Sequence, residues 1–314
     1  IALREAECRG TLLEIKDRAF AACYSLLSYT IPASVTKVGN TAFQDCERLV
    51  EIYNLSTVSL KEAVIPFYCV KHTDASEPSV IEKIGDLSFC KTRTYYDNDV
   101  RNYLLDYCGE DASLTLPDDY HGESYRLFDY ALSSRRNLLS VTFSEGVEKI
   151  VLFGSDNVTA LTVESENAAY YSLNNCVIER EGEKFVLGCR TSVIPDGVKA
   201  IGSYVFCGNV NIVNPSFRIP ESVTSIEQYN YIQYVDKWAI AFVFDEYDKV
   251  TFDLTLEKGT VGIAEDALSW SYTGRNKITT FTCNSELKYI CKDAFWHCGS
   301  LTSVTLNDGL LKIG

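Results

Sequence analysis

The sequence predicts a β-rich α/β repeat fold: a solenoid of stacked coils with parallel strands and short helical turns. Three observations carry the expectation. First, "AFAACYSLLSYTIPASVTKVGNTAFQDCERLVEI" (19–52) spells nearly the same phrase twice. Ala19-Phe20 returns as Ala42-Phe43, Cys23 as Cys46 and Leu26 as Leu49, each 23 residues on. Second, the same period closes the chain, where Ile278 maps to Leu301, Phe281 to Val304 and Ile290 to Ile313. Third, a unit of about 23 residues cannot bury its apolar side alone, so successive units must stack.

Each element of the unit has a local cause. The opening piece, as in "LTSVTL" (301–306), alternates apolar and Ser/Thr residues as a half-buried strand does. Pro32, Pro195 and Pro220 end that strand, or "SEG", "EKG" and "NDG" take their place. A second short extended stretch follows, with apolar residues such as Val35 and Val38 three apart. Gly39, Gly85 and Gly202 then suit a tight bend, and "NTAFQDC" (40–46) suits one short helical turn. In the middle of the chain the period drifts but survives. "IPDGVKAIG" and "IPESVTSIE" start 25 residues apart, a two-residue insertion. The expected core contains Ile15, Phe20, Cys23, Leu26, Val38, Phe43, Cys46, Ile84, Phe89, Ile201, Phe206, Ile263, Ile290, Phe295, Cys298, Val304 and Ile313.

Composition excludes several classes of function. Of 314 residues 46% are hydrophobic, enough for a large core. A formal charge of -14 opposes binding to nucleic acid, which calls for basic stripes, and to anionic lipid. No run of 18 apolar residues occurs, so membrane insertion is not expected. The chain has no Met, begins with "IALREAECRGTLLEI" and stops at "LLKIG", both inside the repeat. It reads as a segment of a longer chain.

The motifs of chemistry are missing. No GxSxG, GxxxxGK[ST] or GxGxxG sequence occurs. The twelve cysteines form no CxxC pair, and neither Cys-x-His nor His-x-x-x-His spacing is present, so no metal site is expected. Cys23, Cys46 and Cys298 each follow a repeat Phe by three residues and read as a buried ladder of reduced thiols. His72 and His121 fall in insertions, where solvent should surround them, and His297 should lie on a coil exterior. "DND" (97–99) lacks the Gly and distal Glu of a calcium loop and reads as a solvated turn. No catalytic residue, cofactor or metal is therefore expected, and the chain should not be an enzyme.

These residues closely resemble the BspA-like, or Treponema pallidum-type, leucine-rich repeats. The unit LxxVxIPxxVxxIGxxAFxxC carries the likeness over roughly 11–90, 114–227 and 250–314. "NAAYYSLNNCVIEREGEKFVLGCRTSVIPDGVKAIGSYVF" (167–206) looks like a hairpin insertion common in bacterial members. The repeat spelling is lost at 91–113 and 228–249, which read as degenerate or inserted segments. The resemblance implies one right-handed leucine-rich-repeat solenoid over 1–314, of roughly nine to eleven coils, with a hairpin insertion at 165–193. Centring that hairpin on Gly182-Glu183 as a type II′ turn sets Cys176 opposite Cys189, Ile178 opposite Leu187 and Arg180 opposite Phe185. In that register Cys176 and Cys189 are either two buried thiols or a disulfide.

What remains for function is surface. Ser28, Thr30, Ser140, Thr142, Thr280, Thr282, Ser303 and Thr305 occupy outward strand positions. Ser and Thr suit exposed strands for structural reasons alone; the same row can also form a long polar ligand-binding face. The resemblance implies a non-catalytic recognition or adhesion domain of a bacterial cell-surface or secreted protein. Its partner would be an extracellular protein or glycan, and the domain would act as a monomer. The alternative is an accessory or spacer domain of a larger secreted enzyme.

Overall fold

The computed structural model describes residues 11–60, 65–95, 97–132, 137–150, 157–202, 205, 218–227, 234–240, 252–254, 256–268 and 278–314. It is a β-solenoid of stacked parallel strands. The chain divides into two compact units, the first 1–138 with 144–155 and the second 139–143 with 156–314.

The sequence period becomes the pairing register. In the first unit, strand Ser28–Ile31 pairs in parallel with Glu51–Asn54, Ser28 facing Glu51 and Ile31 facing Asn54, 23 residues apart. The second strand of the coil repeats the step, with Glu14 opposite Lys37 and Ile15 opposite Val38. In the second unit Thr280 faces Ser303 and Tyr289 faces Lys312. The two-residue insertion is absorbed between coils, because Ala200 pairs with Ser225. Apolar residues at alternate strand positions then meet their own copies. Tyr29, Ile31, Phe43, Cys46, Leu49 and Ile52 share one core in the first unit, and Ile201, Ile263, Phe281 and Ile290 share one in the second. Tyr29 rests against Phe43, and Phe20 stacks on Phe43 at 5.2 Å.

The Ala-Phe segments form chains of tight turns. Cys23 N–H donates to the Phe20 carbonyl and Leu26 N–H to that of Cys23, while Phe20 and Ala22 N–H reach the next coil at Ala42 and Gln44. Arg18 and Ala22 hold φ of 60° and 56°, and Asp293 and His297 do the same near the end of the chain. A left-handed residue stops a right-handed helix from propagating, so the backbone bonds sideways to the neighbouring coil.

Among the described residues three antiparallel insertions interrupt the coils, and only one was legible as a hairpin in the sequence. In the first, strands Glu82–Ile84, Leu87–Thr92 and Arg101–Tyr107 form a meander. In the second, Tyr170–Leu173, Cys176–Glu179 and Lys184–Leu187 do so. In the third, Tyr234–Val235 pairs with Trp238–Ala239. Each opens on a two-residue turn, Gly85-Asp86, Asn174-Asn175 or Asp236-Lys237, whose first residue has φ of 58°, 52° or 50°. The last strand of each then starts a parallel ladder, through Leu104 to Leu127, Phe185 to Ile201 and Ala239 to Ile263. Every insertion is thus an antiparallel start to a new parallel sheet.

Several expectations are corrected. Ile84 is 46% exposed, because "VIEKIGDLSFCKT" makes the edge hairpin of the first meander and no coil. Val304 and Ile313 are 48% and 60% exposed, since a neighbouring coil packs on only one side of theirs. Phe20, Cys23, Val38, Phe295 and Cys298 are partly buried against their cores, and Phe206 lies outside the described residues. The second insertion takes another register. Ile178 faces Phe185 and Val177 faces Leu187 across a bulge, with Arg180–Glu183 as the loop. The expected pairing would have set Arg180 on the apolar face beside buried Phe185. Instead its Nε donates to the Asn167 carbonyl at 3.1 Å and its guanidinium lies over the Tyr171 ring. Cys176 and Cys189 are both buried and no longer opposite one another. The Cys176 sulfur contacts the Val193 carbonyl at 3.4 Å, and the Cys189 sulfur the Thr191 hydroxyl at 3.4 Å.

Candidate functional site

The outward Ser/Thr positions fall on three separate ladders. Ser28 and Thr30 head the first, where Ser28 continues through Glu51 to Val70 and Thr30 through Tyr53 to His72. Ser140 and Thr142 pair with Ala160 and Thr162 on the second. Thr280 and Thr282 pair with Ser303 and Thr305 on the third. Period-2 alternation causes the placement, since Val141, Phe143 and Phe281 between them turn inward and are buried. On the third ladder Thr282, Ser303 and Thr305 are exposed, and Thr280 is half-buried. Among the described residues this is the most open of the three.

Part of the first ladder is covered, which the sequence did not suggest: Glu51 and His72 are buried and Tyr53 is half-buried, while Thr30 and Val70 stay exposed. The segment following strand Val70–His72 folds back over it. Ser79 donates its hydroxyl to Glu51 at 2.8 Å and the Val80 N–H donates to the same carboxylate at 2.9 Å. Glu77 accepts from the Thr73 and Asp74 N–H groups at 2.7 and 3.0 Å, and these bonds hold its carboxyl below the usual range. His72 is 4% exposed, stacked on Tyr53 at 4.3 Å, with Nε2 3.3 Å from Glu51 and Nδ1 3.4 Å from Glu77. The expectation of a solvated His72 is therefore corrected: two carboxylates and an aromatic face occupy its surroundings. The cluster arises because outward ladder positions that carry Ser or Thr in one coil carry Glu51, Tyr53 and His72 in the next two. That change of residue type was the available signal.

Other candidates are engaged structurally. His121 is exposed as expected and contacts Glu82 at 2.7 Å, and exposed His297 packs at a tilt against Trp296. Asp97 of "DND" pairs with Arg126 and accepts from the Tyr103 hydroxyl, while Asp99 pairs with Arg101 at 2.9 Å. Burial pushes the thiols upward: Cys46 and Cys298 to about 11, Cys69, Cys90 and Cys176 to about 12. Cys46 also donates to the Phe20 carbonyl at 2.9 Å. Among the described residues no group of three His, Cys, Asp or Glu side chains is arranged to hold a metal ion, and no helix is long and apolar enough to cross a membrane.

A family model described as the BspA type leucine rich repeat region matches residues 2–101, 187–237 and 253–314 in six copies. No curated protein matches the chain. A leucine rich cell surface protein from Faecalibacterium prausnitzii is 16% identical over 99% of this chain and 63% of its own length, with a TM-score of 0.26. A leucine-rich repeat protein from Eubacterium ventriosum is 16% identical over 94% of this chain and 70% of that one, with a TM-score of 0.28. The leucine rich repeat protein of T. pallidum is 14% identical over 74% of this chain and 90% of that one, with a TM-score of 0.21. The chain thus spans less than two thirds of the first of these proteins.

Proposed function

The chain belongs to the BspA-type leucine-rich-repeat family, and on that footing we propose that it is a non-catalytic recognition domain of a bacterial cell-surface or secreted protein. It binds an extracellular protein or glycan through the open ladder of its last coils. The observation that carries this reading is the register of Thr280 with Ser303 and Thr282 with Thr305. Stacked Thr and Ser hydroxyl side chains form a polar surface whose spacing is set by the strands, at about 4.8 Å per coil. Such a face loses little side-chain entropy on docking, because χ1 of Thr is already restricted. The acidic surplus of the chain favours neutral or basic partners over nucleic acid.

The test is a glycan array and a panel of purified extracellular matrix proteins, probed with this chain and with Thr282→Glu/Thr305→Glu. We expect a ligand that the double variant no longer retains. A ligand held equally by both proteins sinks the ladder as its site. The chain should also turn over no ester, glycoside or peptide substrate, and activity that persists through repurification would overturn the non-catalytic reading.

A further inference from the structure

A second surface, remote in sequence from the open ladder, has the chemistry of a cation-recognition site. In the first unit Phe67, Tyr68 and Tyr95 form a triad of mutually edge-to-face rings, with centroids 5.2, 5.6 and 5.2 Å apart. A turn closed by Cys69 N–H on the Pro66 carbonyl presents the first two. The loop after strand Leu87–Thr92, pinned by Thr94 and Asp97, presents the third. Tyr68 is buried and its hydroxyl donates to the Glu47 carbonyl, so the triad is anchored from below. Phe67 and Tyr95, however, are 56% and 50% exposed. Two half-bare aromatic faces side by side are unusual on a surface with no partner.

Two acidic residues, Asp45 and Glu47, lie on the turn whose Glu47 carbonyl holds Tyr68. Asp45 is exposed and Glu47 half-buried, and among the described residues no lysine or arginine pairs with either. The adjacent cation, Arg48, is buried and turned away, donating to the Tyr130 and Leu105 carbonyls beside Asp106. Burial raises the Glu47 carboxyl, with Asp129 and Asp45 adding repulsion. Burial likewise raises the Tyr95 phenol, with further contributions from Glu47 and Asp45. The Tyr68 hydroxyl on the Glu47 carbonyl holds that residue's backbone against the triad, and Asp45 lies two residues before it on the same turn.

We propose that Phe67, Tyr95, Asp45 and Glu47 form a docking site for lysine or arginine side chains of a partner protein segment. A long cationic side chain satisfies both halves of the surface. Its stem or guanidinium plane covers a ring face, and its head relieves the carboxylate repulsion with charge-assisted hydrogen bonds. A wholly apolar partner would bury the carboxylates without compensation. A neutral sugar would stack on the rings and leave the charges as they are. The proposal rests on the recognition reading of the chain but uses different residues from the ladder.

The experiment measures fluorescence polarisation of a short labelled peptide of alternating arginine and glycine against the whole chain. A glutamine-for-arginine peptide and a neutral cello-oligosaccharide serve as comparison probes. We expect the arginine peptide alone to bind, with an affinity that falls as salt rises. Tyr95→Ala and Glu47→Gln should each weaken it up to about tenfold. Glu286→Gln, an exposed acid of the second unit, and Thr282→Glu/Thr305→Glu should not weaken it. Because Tyr95 is half exposed, its loss should leave the melting curve in place, and Tyr95→Phe should bind as the parent does. Equal weakening by Glu286→Gln would reduce the effect to net charge and overturn the site, as would undiminished binding by Tyr95→Ala. Preference for the neutral oligosaccharide would also overturn it, in favour of a glycan. Loss of ladder binding with the peptide retained would refute the ladder alone.

Discussion

His72 shows how a residue's role follows from what covers it. Its strand position is outward, as Thr30 is two coils earlier, yet the fold-back at Ser79 and Val80 buries it together with Glu51. Replacing Glu51 by Ala should strand the Val80 N–H and destabilise the chain by about 1–3 kcal/mol. Chemical denaturation would measure it, and an unchanged midpoint would mean the fold-back does not depend on this carboxylate. The thiols give a second prediction. With Cys46, Cys69, Cys90 and Cys176 raised to about 11–12 and buried, iodoacetamide near neutral pH should label exposed Cys108 before these four. The buried four should react only on unfolding, and mass spectrometry of the folded protein would read the order directly. Early modification of Cys46 would contradict the ladder.

At the scale of the element, stability lies in contacts between successive coils. Phe43 is fully buried between Phe20 and Tyr29, so Phe43→Ala should cost about 3–5 kcal/mol. A more specific contact occurs where the third insertion joins its coils. Trp238, Gly262 and Tyr289 are successive rungs of one ladder. The Trp238 ring lies across Gly262 and stacks on Tyr289 at 5.7 Å and 6°, and a Cβ on Gly262 would meet the indole at 2.4 Å. Two aromatics two rungs apart can stack only because the residue between them has no side chain. Gly262→Ala should therefore destabilise by at least about 1–3 kcal/mol through overpacking. A thermal melt that did not move would show that the indole can be displaced freely.

For the whole molecule, the acid response should be governed by carboxylates whose hydrogen bonds form only on folding. Glu77, Glu82, Glu123 and Glu148 all lie below their ordinary value of 4.5. The causes are the Thr73 and Asp74 N–H groups, His121 with Tyr120, Asn102 with Lys91, and Arg126, respectively. A depressed folded value contributes stability above 4.5 that disappears as pH falls through the folded value. Glu47, raised by burial, acts in the opposite sense. Glu14, Asp74 and Glu166 are lowered as well, so among the described residues lowered carboxyls outnumber the raised one, and the melting temperature followed by circular dichroism should fall as pH drops below 4.5. A melting temperature that rose on acidification would mean these bonds persist in the unfolded chain. The spectrum itself should be that of a β protein.

The sequence by itself determined whatever repeats. The 23-residue step, its drift to 25 between Ala200 and Ser225, the inward set of Phe43, Cys46, Ile263 and Ile290, and the outward placement of Thr282 and Thr305 all hold. They were legible because each coil contacts its neighbours in the same way, so the packing constraint is written again in every unit. Tertiary structure decided whatever occurs once. The first meander and the fold-back at Ser79 bury Leu27, Val50, His72 and Arg48 on sides of the coils that periodicity assigns to solvent. The register of the second insertion followed from keeping Arg180 out of the core, a choice between two pairings that differ only in what lies beneath them. The sequence predicts the hairpin turn at Gly182-Glu183, whereas Asn174-Asn175, both at positive φ, turn the first hairpin of the insertion. Where such a hairpin comes to rest depends on non-local burial, which no local period encodes.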